Sequence, residues 1–178
     1  RQELLLKNGK IKILDLCTGS GAIAVSLSIF LGDEAEVFAS DISTKALEVA
    51  KYNNGKNNTN VRFIESNLFK NIQEQKFNII VSNPPYIRSD VINKLSKQVQ
   101  NEPHLALDGG EDGLKFYKKI IEQSCNYIEN GYLILEIGYD QKEDVENLLK
   151  ENKNYSEIKT IQDLSGNDRC VIAKVGKI

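Results

Sequence analysis

The stretch that most constrains what this chain can fold into is F-N-I-I-V-S-N-P-P-Y-I, residues 77–87. It opens as an apolar, β-branched run of the kind that forms a buried strand. It then meets Pro84 and Pro85, whose missing N–H groups and fixed φ cannot continue a paired strand. The strand must stop near Ser82. Beyond it lies a stiff loop holding an amide (Asn83), a bare carbonyl (Pro84) and an aromatic ring (Tyr86) at the strand's carboxyl end. In open α/β sheets, ligands bind at that edge.

The rest of the chain alternates short apolar runs with helical periodicity. Strands are expected at 11–16, 35–40, 60–65, 77–82 and 131–137. Helices are expected at 22–31, from an N-cap at Ser43 to about 53, at 113–128 and at 142–152. Two last apolar runs, 158–161 and 170–175, flank Ser165-Gly166-Asn167 and read as an antiparallel pair. Residues 1–7 read as a helix tail stopped by Asn8-Gly9. The long, mostly irregular segment 87–112 is expected to be a lid or a binding rim. The Asn- and Lys-rich runs at 53–60 and 150–154 read as solvated turns. Strand–helix alternation implies crossover units, a mostly parallel sheet with helices on both faces, and one domain across 178 residues.

Charge narrows the partners. Lys and Arg number 23 against 25 Asp and Glu, a net charge of −2, so no basic footprint for nucleic acid is present and direct binding to it is not expected. Three separated cysteines (Cys17, Cys125, Cys170) read as reduced thiols of a cytoplasmic protein. A single histidine leaves little material for a metal site or a Ser/His triad, and no metal is expected. No apolar run approaches the roughly 18 residues that span a bilayer, so no membrane partner is expected. The first residue is Arg, which points to a piece of a longer chain.

Upstream of the Asn-Pro-Pro-Tyr loop, I-L-D-L-C-T-G-S-G-A-I-A sets Gly19 and Gly21 at a strand-to-helix turn. Glycine lets the backbone turn tightly and lets a ligand approach a helix N-terminus closely. Asp41 comes about 20 residues later at the end of the next strand, where an acid can accept both hydroxyls of a ribose. Alone, Asp41 reads equally well as a turn carboxylate; joined to the turn, it points to a nucleoside. Asp15 sits inside the strand just before the turn, an awkward neighbour for a pyrophosphate and a good one for a cation. S-adenosylmethionine carries a sulfonium and an ammonium, so these residues favour a methyl donor.

D-L-C-T-G-S-G, S-D-I-S, V-S-N-P-P-Y-I and E-P-H-L-A-L-D-G-G-E-D-G-L now stand in order. Together they resemble the catalytic domain of the peptide chain release factor glutamine methyltransferases of the HemK type, from Ile11 to about Val175. N-P-P-Y alone specifies only amino-group methylation. The stretch from Glu102 to Leu114 is more specific, and D-L-S-G-N-D-R, residues 163–169, is similar to the family's D-x-x-G-x-x-R.

The resemblance implies a Rossmann-like class I S-adenosylmethionine-dependent methyltransferase fold: a mostly parallel seven-stranded sheet with a C-terminal antiparallel hairpin. It implies a cofactor site at Asp15, Cys17, Thr18, Gly19, Ser20, Gly21, Asp41, Ile42, Asn67, Leu68 and Asn83, and substrate contacts from Asn83, Pro84, Pro85 and Tyr86. Asn83, Pro84 and Tyr86 carry the catalytic role. Asn67 replaces an acid usual in the family, and Cys17 replaces a common glycine, tolerable where φ is negative. The family's small helical N-terminal domain is expected to be missing before Ile11, and the chain is expected to act as a monomer. Two rival readings stand beside this one: a nucleic-acid amino-methyltransferase using the same loop, and a cofactor-binding scaffold without catalysis.

His104 reads as a solvent-facing loop residue, Arg169 as part of the hairpin, and Glu111 and Asp112 as rim or cap of the helix near Gly113. Lys115-Phe116-Tyr117-Lys118-Lys119 reads as a solvated helix face with its aromatics turned inward.

Overall fold

The structure, a computed structural model, describes residues 9–73 and 75–176. The helix tail expected at 1–7 lies outside the described residues. The first half is built from β1 (Ile11–Leu16), α1 (Ala22–Leu31), β2 (Ala35–Asp41), α2 (Thr44–Lys56), β3 (Arg62–Glu65) and β4 (Phe77–Ser82). Ser43 caps α2 by accepting from the Ala46 amide at 3.2 Å.

The segment after Tyr86 contains three four-residue helices, α3 (Ser89–Ile92), α4 (Lys97–Gln100) and α5 (His104–Leu107), rather than open loop. The second half continues with α6 (Lys115–Ser124), β5 (Ile128–Glu136), α7 (Lys142–Glu151), β6 (Tyr155–Gln162) and β7 (Asp168–Val175). Among the described residues no helix is long and apolar enough to cross a membrane.

The strands form a seven-stranded sheet in the order β3-β2-β1-β4-β5-β7-β6. Pairs from β3 to β5 are parallel, and β7 lies antiparallel between β5 and β6. The direction of strand succession reverses between β1 and β4, so a crevice opens at their carboxyl ends. Alternation along β2 separates two cores. Phe38 joins the large cluster with Leu14, Leu16, Ile80, Leu133 and Val171, and Val37 and Ala39 join a smaller one with Ala24 and Val25 of α1.

Three element boundaries differ from expectation for tertiary reasons. The helix expected at 113–128 is shorter, because β5 already begins at Ile128, opposite Phe77. β5 starts at Ile128, ahead of the 131 start expected for it, and runs through Asn130-Gly131. A Cβ on Gly131 would stand 1.9 Å from the Asn78 carbonyl oxygen of β4, so only glycine lets the two backbones approach there. β6 begins at Tyr155, whose ring is buried and whose hydroxyl donates to the Ile121 carbonyl at 2.6 Å.

Candidate active site

Every residue expected in the site sits at the carboxyl edge of β1, β2, β3 or β4. Asp15, in β1, is fully buried. Its Oδ2 accepts from Thr18 Oγ1 at 2.5 Å and from the Ala24 amide at 3.0 Å, while Oδ1 has no partner. Burial pushes the Asp15 carboxyl up to about 7, against the pull of those two hydrogen bonds. Ser40 Oγ, at the end of the neighbouring β2, is also buried without a partner. A buried, unpaired carboxylate oxygen beside a glycine turn fits a cationic ligand group, as the charge of S-adenosylmethionine requires.

The turn itself is tied on both sides. Thr18 donates its amide to the Ser40 carbonyl at 2.9 Å, and Asn53 of α2 donates to the Ser20 carbonyl at 2.9 Å. Asn54 Oδ1 accepts from Thr59 Oγ1 and the Val61 amide. The run at 53–60 is therefore in part a brace for the turn, not only solvated chain. Gly21 stands at φ 81, and a Cβ there would meet Ala50 Cβ of α2 at 2.9 Å. Around Gly19, at φ 56, space is open.

Cys17 corrects one expectation. Its φ is 62, not negative, so this residue holds a left-handed conformation that costs a non-glycine about 1 kcal/mol or more. Its half-buried side chain packs against the large core. Burial, then the Asp41 charge, push the thiol up to about 12, which keeps it protonated and unreactive.

Asp41 spans the turn and its own loop: Oδ2 accepts from the Gly19 amide at 2.9 Å and Oδ1 from the Ser43 amide at 2.8 Å. Asp41 is thus a turn carboxylate that also ties the glycine turn to the end of β2. Ile42 beside it is exposed, and the Ser66 amide donates to the Asp41 carbonyl, bringing Asn67 and Leu68 to the same edge. Asn67 is exposed, while Leu68 is buried at φ 50.

At the switch point, Ser82 Oγ donates to the Leu16 carbonyl at 2.6 Å and locks the ends of β4 and β1 together. Asn83 is exposed, Pro84 buried, and Pro85 and Tyr86 half-buried. The segment from Leu107 to Gly113 wraps this loop. Ile87 and Gly109 donate their amides to the Leu107 and Ile87 carbonyls, and Ser89 binds the Asp108 carboxylate at 2.7 Å. A Cβ on Gly109 would lie 2.7 Å from Tyr86 Cα, and one on Gly113 would lie 2.6 Å from the Tyr86 carbonyl oxygen. Gly109 and Gly113 leave room for the Tyr86 backbone to come close. Asp112 accepts from the amide of Leu114, the residue before α6, and Tyr117 turns inward with no exposure.

Three further residues bear on the loop without having been singled out for it. Gln141, at the start of α7, is buried and donates to the Tyr86 carbonyl at 3.0 Å while its Oε1 accepts from the Gly138 amide. Burial pushes the carboxyl of Glu136, the last residue of β5, up, against the pull of Arg169 and of the Asn83 side chain. Arg169 of β7 donates to Asp163 Oδ2 at 3.2 Å and to the Ile137 carbonyl at 3.1 Å, and its charge draws the Tyr86 hydroxyl down against the rise that burial causes. Arg169 is thus a hairpin residue, as expected, whose charge is felt at Tyr86. No local spacing marks Glu136 or Gln141; both come after an ordinary apolar strand.

Residues 2–110 match the family model for the methyltransferase small domain. The chain belongs to the methyltransferase small domain family. Over nearly its whole length it is also similar to release factor glutamine methyltransferases. That of Thermodesulfovibrio yellowstonii is 41% identical over 99% of this chain and 63% of the relative. That of Clostridium acetobutylicum is 44% identical over 98% of this chain and 62% of the relative. The chain therefore spans a little under two thirds of the length of these relatives. Among solved structures, an S-adenosylmethionine-dependent O-methyltransferase of Thermotoga maritima superimposes with a TM-score of 0.70 at 13% identity, covering 99% of this chain and 63% of that one. The sheet order and its C-terminal antiparallel hairpin are those of the class I methyltransferase fold.

Proposed function

We propose that this chain is the catalytic part of an S-adenosylmethionine-dependent methyltransferase that methylates the side-chain nitrogen (N5) of a protein glutamine, with peptide chain release factors as the substrate. The observation that carries the reading is the placement of the Asn83-Pro84-Pro85-Tyr86 loop. It stands across the switch point from the unpaired Asp15 Oδ1, braced by Gly109, Gly113 and Gln141. The names of the relatives support the choice of glutamine and of release factors. Three free thiols, Cys17, Cys125 and Cys170, agree with a cytoplasmic setting.

When bound, the cofactor supplies an electrophilic methyl on a sulfonium. Asp15 would take its ammonium, Asp41 the ribose hydroxyls, and Ile42, Asn67 and Leu68 the adenine side, with the glycine turn from Cys17 to Gly21 beneath. A glutamine amide is a weak nucleophile because its nitrogen lone pair is delocalised into the carbonyl. Asn83 Oδ1 and the Pro84 carbonyl accept its two hydrogens, orient the nitrogen and stabilise the positive charge it gains in the transition state. As the new N–C bond forms, the bond from that methyl to sulfur would break, leaving the neutral thioether S-adenosylhomocysteine, and the cationic nitrogen sheds one of its two protons past its carbonyl acceptor to water. The Tyr86 ring packs on the flat amide, and the two prolines keep the acceptors aligned.

The test is transfer of labelled methyl from S-adenosylmethionine to a release factor, with DNA and RNA as controls. Asn83→Ala is expected to cut kcat by roughly 10²-fold with cofactor affinity little changed. Near-wild-type turnover in that variant, or product on nucleic acid alone, overturns the reading.

A further inference from the structure

Proline rings fix φ at positions 84 and 85, and Pro84 biases Asn83 before it toward extended backbone. The softer end of the Asn-Pro-Pro-Tyr loop is therefore its exit, the peptide unit that joins Tyr86 to Ile87. That unit is held on both sides. The Ile87 amide donates to the Leu107 carbonyl at 2.9 Å, and the Tyr86 carbonyl accepts from Gln141 Nε2 at 3.0 Å.

Gln141 is buried and stands on a rigid support at the N-terminus of α7. Its backbone amide donates to the Gly138 carbonyl, and its own carbonyl accepts from the Val145 amide. A glutamine amide has a donor end and an acceptor end of nearly the same shape, so its neighbours choose the orientation. The Gly138 N–H can only donate and takes Oε1 at 3.0 Å. The Tyr86 carbonyl can only accept and takes Nε2, with the Gly113 carbonyl 3.4 Å from the same nitrogen. Two glycines make the slot: a Cβ on Gly138 would stand 2.8 Å from Oε1, and one on Gly113 would stand 2.7 Å from Nε2. Tyr117 Oη, which donates to the Glu136 carbonyl at 2.8 Å, lies 3.4 Å from Oε1.

We propose that Gln141 is a positioning residue for methyl transfer: its amide, oriented by the Gly138 N–H, holds the Tyr86 carbonyl and so keeps the Asn83 and Pro84 acceptors and the Tyr86 ring aligned on the substrate amide. This proposal rests on the glutamine-amide reading above. Alignment is where such a contact acts, since a misplacement of about 1 Å can cost roughly 10²-fold in rate.

Gln141→Glu turns the slot into a switch. An ionised carboxylate only accepts, so it would set an acceptor against the Tyr86 and Gly113 carbonyls. A protonated one keeps an acceptor for Gly138 and regains a donor for Tyr86, as the amide has. Burial favours the protonated form. The ionisable groups around the slot are Tyr86 of the loop, Arg88 beside Gly113, Tyr117 of α6, Glu136 closing β5, Asp140 beside Gly138 and Arg169 of β7. All of them, and Asp15, are present in the wild type too. The ratio of variant to wild-type kcat at each pH therefore isolates the new carboxyl.

The test uses the 178-residue chain at saturating S-adenosylmethionine. At pH 9, Gln141→Glu should turn over about 10-fold more slowly than wild type, and the ratio should recover toward one as pH falls to 6, with cofactor affinity unchanged. In the ligand-free variant, the Tyr86 carbonyl carbon resonance should move toward its wild-type position over the same range. Gln141→Met, of similar length and without a donor, should lower kcat about 10-fold at every pH, and it decides the matter if Gln141→Glu does not fold. A role in stability alone would leave the folded enzyme's kcat ratio flat with pH. Such a flat ratio in Gln141→Glu, or a wild-type kcat in Gln141→Met, overturns the proposal. A wild type that transfers no methyl to glutamine, beside a Tyr86 resonance that titrates in Gln141→Glu, defeats the functional reading and leaves the hold of Gln141 on the loop standing.

Discussion

At Asp15, one carboxylate oxygen accepts from Thr18 and Ala24 and the other is buried without a partner. With no counter-charge, burial holds the carboxyl near 7. A cation bound at Oδ1 favours the ionised form, so cofactor affinity should rise several-fold as pH goes from 6 to 8. Calorimetric titration with S-adenosylmethionine checks this. Asp15→Asn should bind at least about 10-fold more weakly and show a flatter pH dependence, because a charge-assisted contact is lost. Equal affinity at both pH values in the wild type would show that Asp15 does not meet a cation. The strain at Cys17 belongs to the same scale, since a left-handed φ is compensated there by packing of its side chain on the core.

At the scale of elements, the segment after β4 is organised by backbone contact. Gly109 has an ordinary φ but no room for a side chain beside Tyr86. Gly109→Ala should therefore act by displacement alone, costing about 1–3 kcal/mol of stability and shifting the Asn-Pro-Pro-Tyr loop. Urea unfolding together with single-turnover methyl transfer checks both effects, with kcat expected to fall while cofactor affinity holds. A variant as stable and active as wild type would mean the loop is not braced from this side. The strand was legible here and its brace was not. Residues 77–82 show the apolar run and proline stop that define a strand locally, whereas L-D-G-G-E-D-G shows only turn chemistry. That those glycines press on Tyr86 depends on where α5 and α6 are docked.

For the whole molecule, the buried carboxylate is also a load on the fold. A raised native pKa means that the stability associated with the protonated group is intact below the unfolded value of 3.8 and is lost as pH rises through about 7. Relative to Asp15→Asn, the wild type should lose stability between about pH 4 and 7 and level off above, with a ceiling of roughly 4 kcal/mol. Comparing the two proteins by urea unfolding at several pH values isolates this group from the surface carboxylates, Asp112 and Glu146 among them, whose pKa values are lowered by hydrogen bonds and nearby lysines. A stability difference that does not change with pH would show that Asp15 is not titrating inside the fold.

The chain's local signals determined the strand and helix alternation, and with it the edge at which Asp15, the glycine turn, Asp41 and Asn83 had to gather. Parallel crossovers put every strand's carboxyl end on one side, so placing residues at strand ends already places them together. Tertiary structure alone decided what stands behind them. β7 inserts antiparallel beside β5, which sets Cys170 opposite Glu136 and so brings Arg169 next to the end of β5. Position 131 takes only glycine because β4 passes too close for a side chain. Such meetings have no period in the sequence; they depend on which strand lies beside which, and that is settled by burial across the whole sheet.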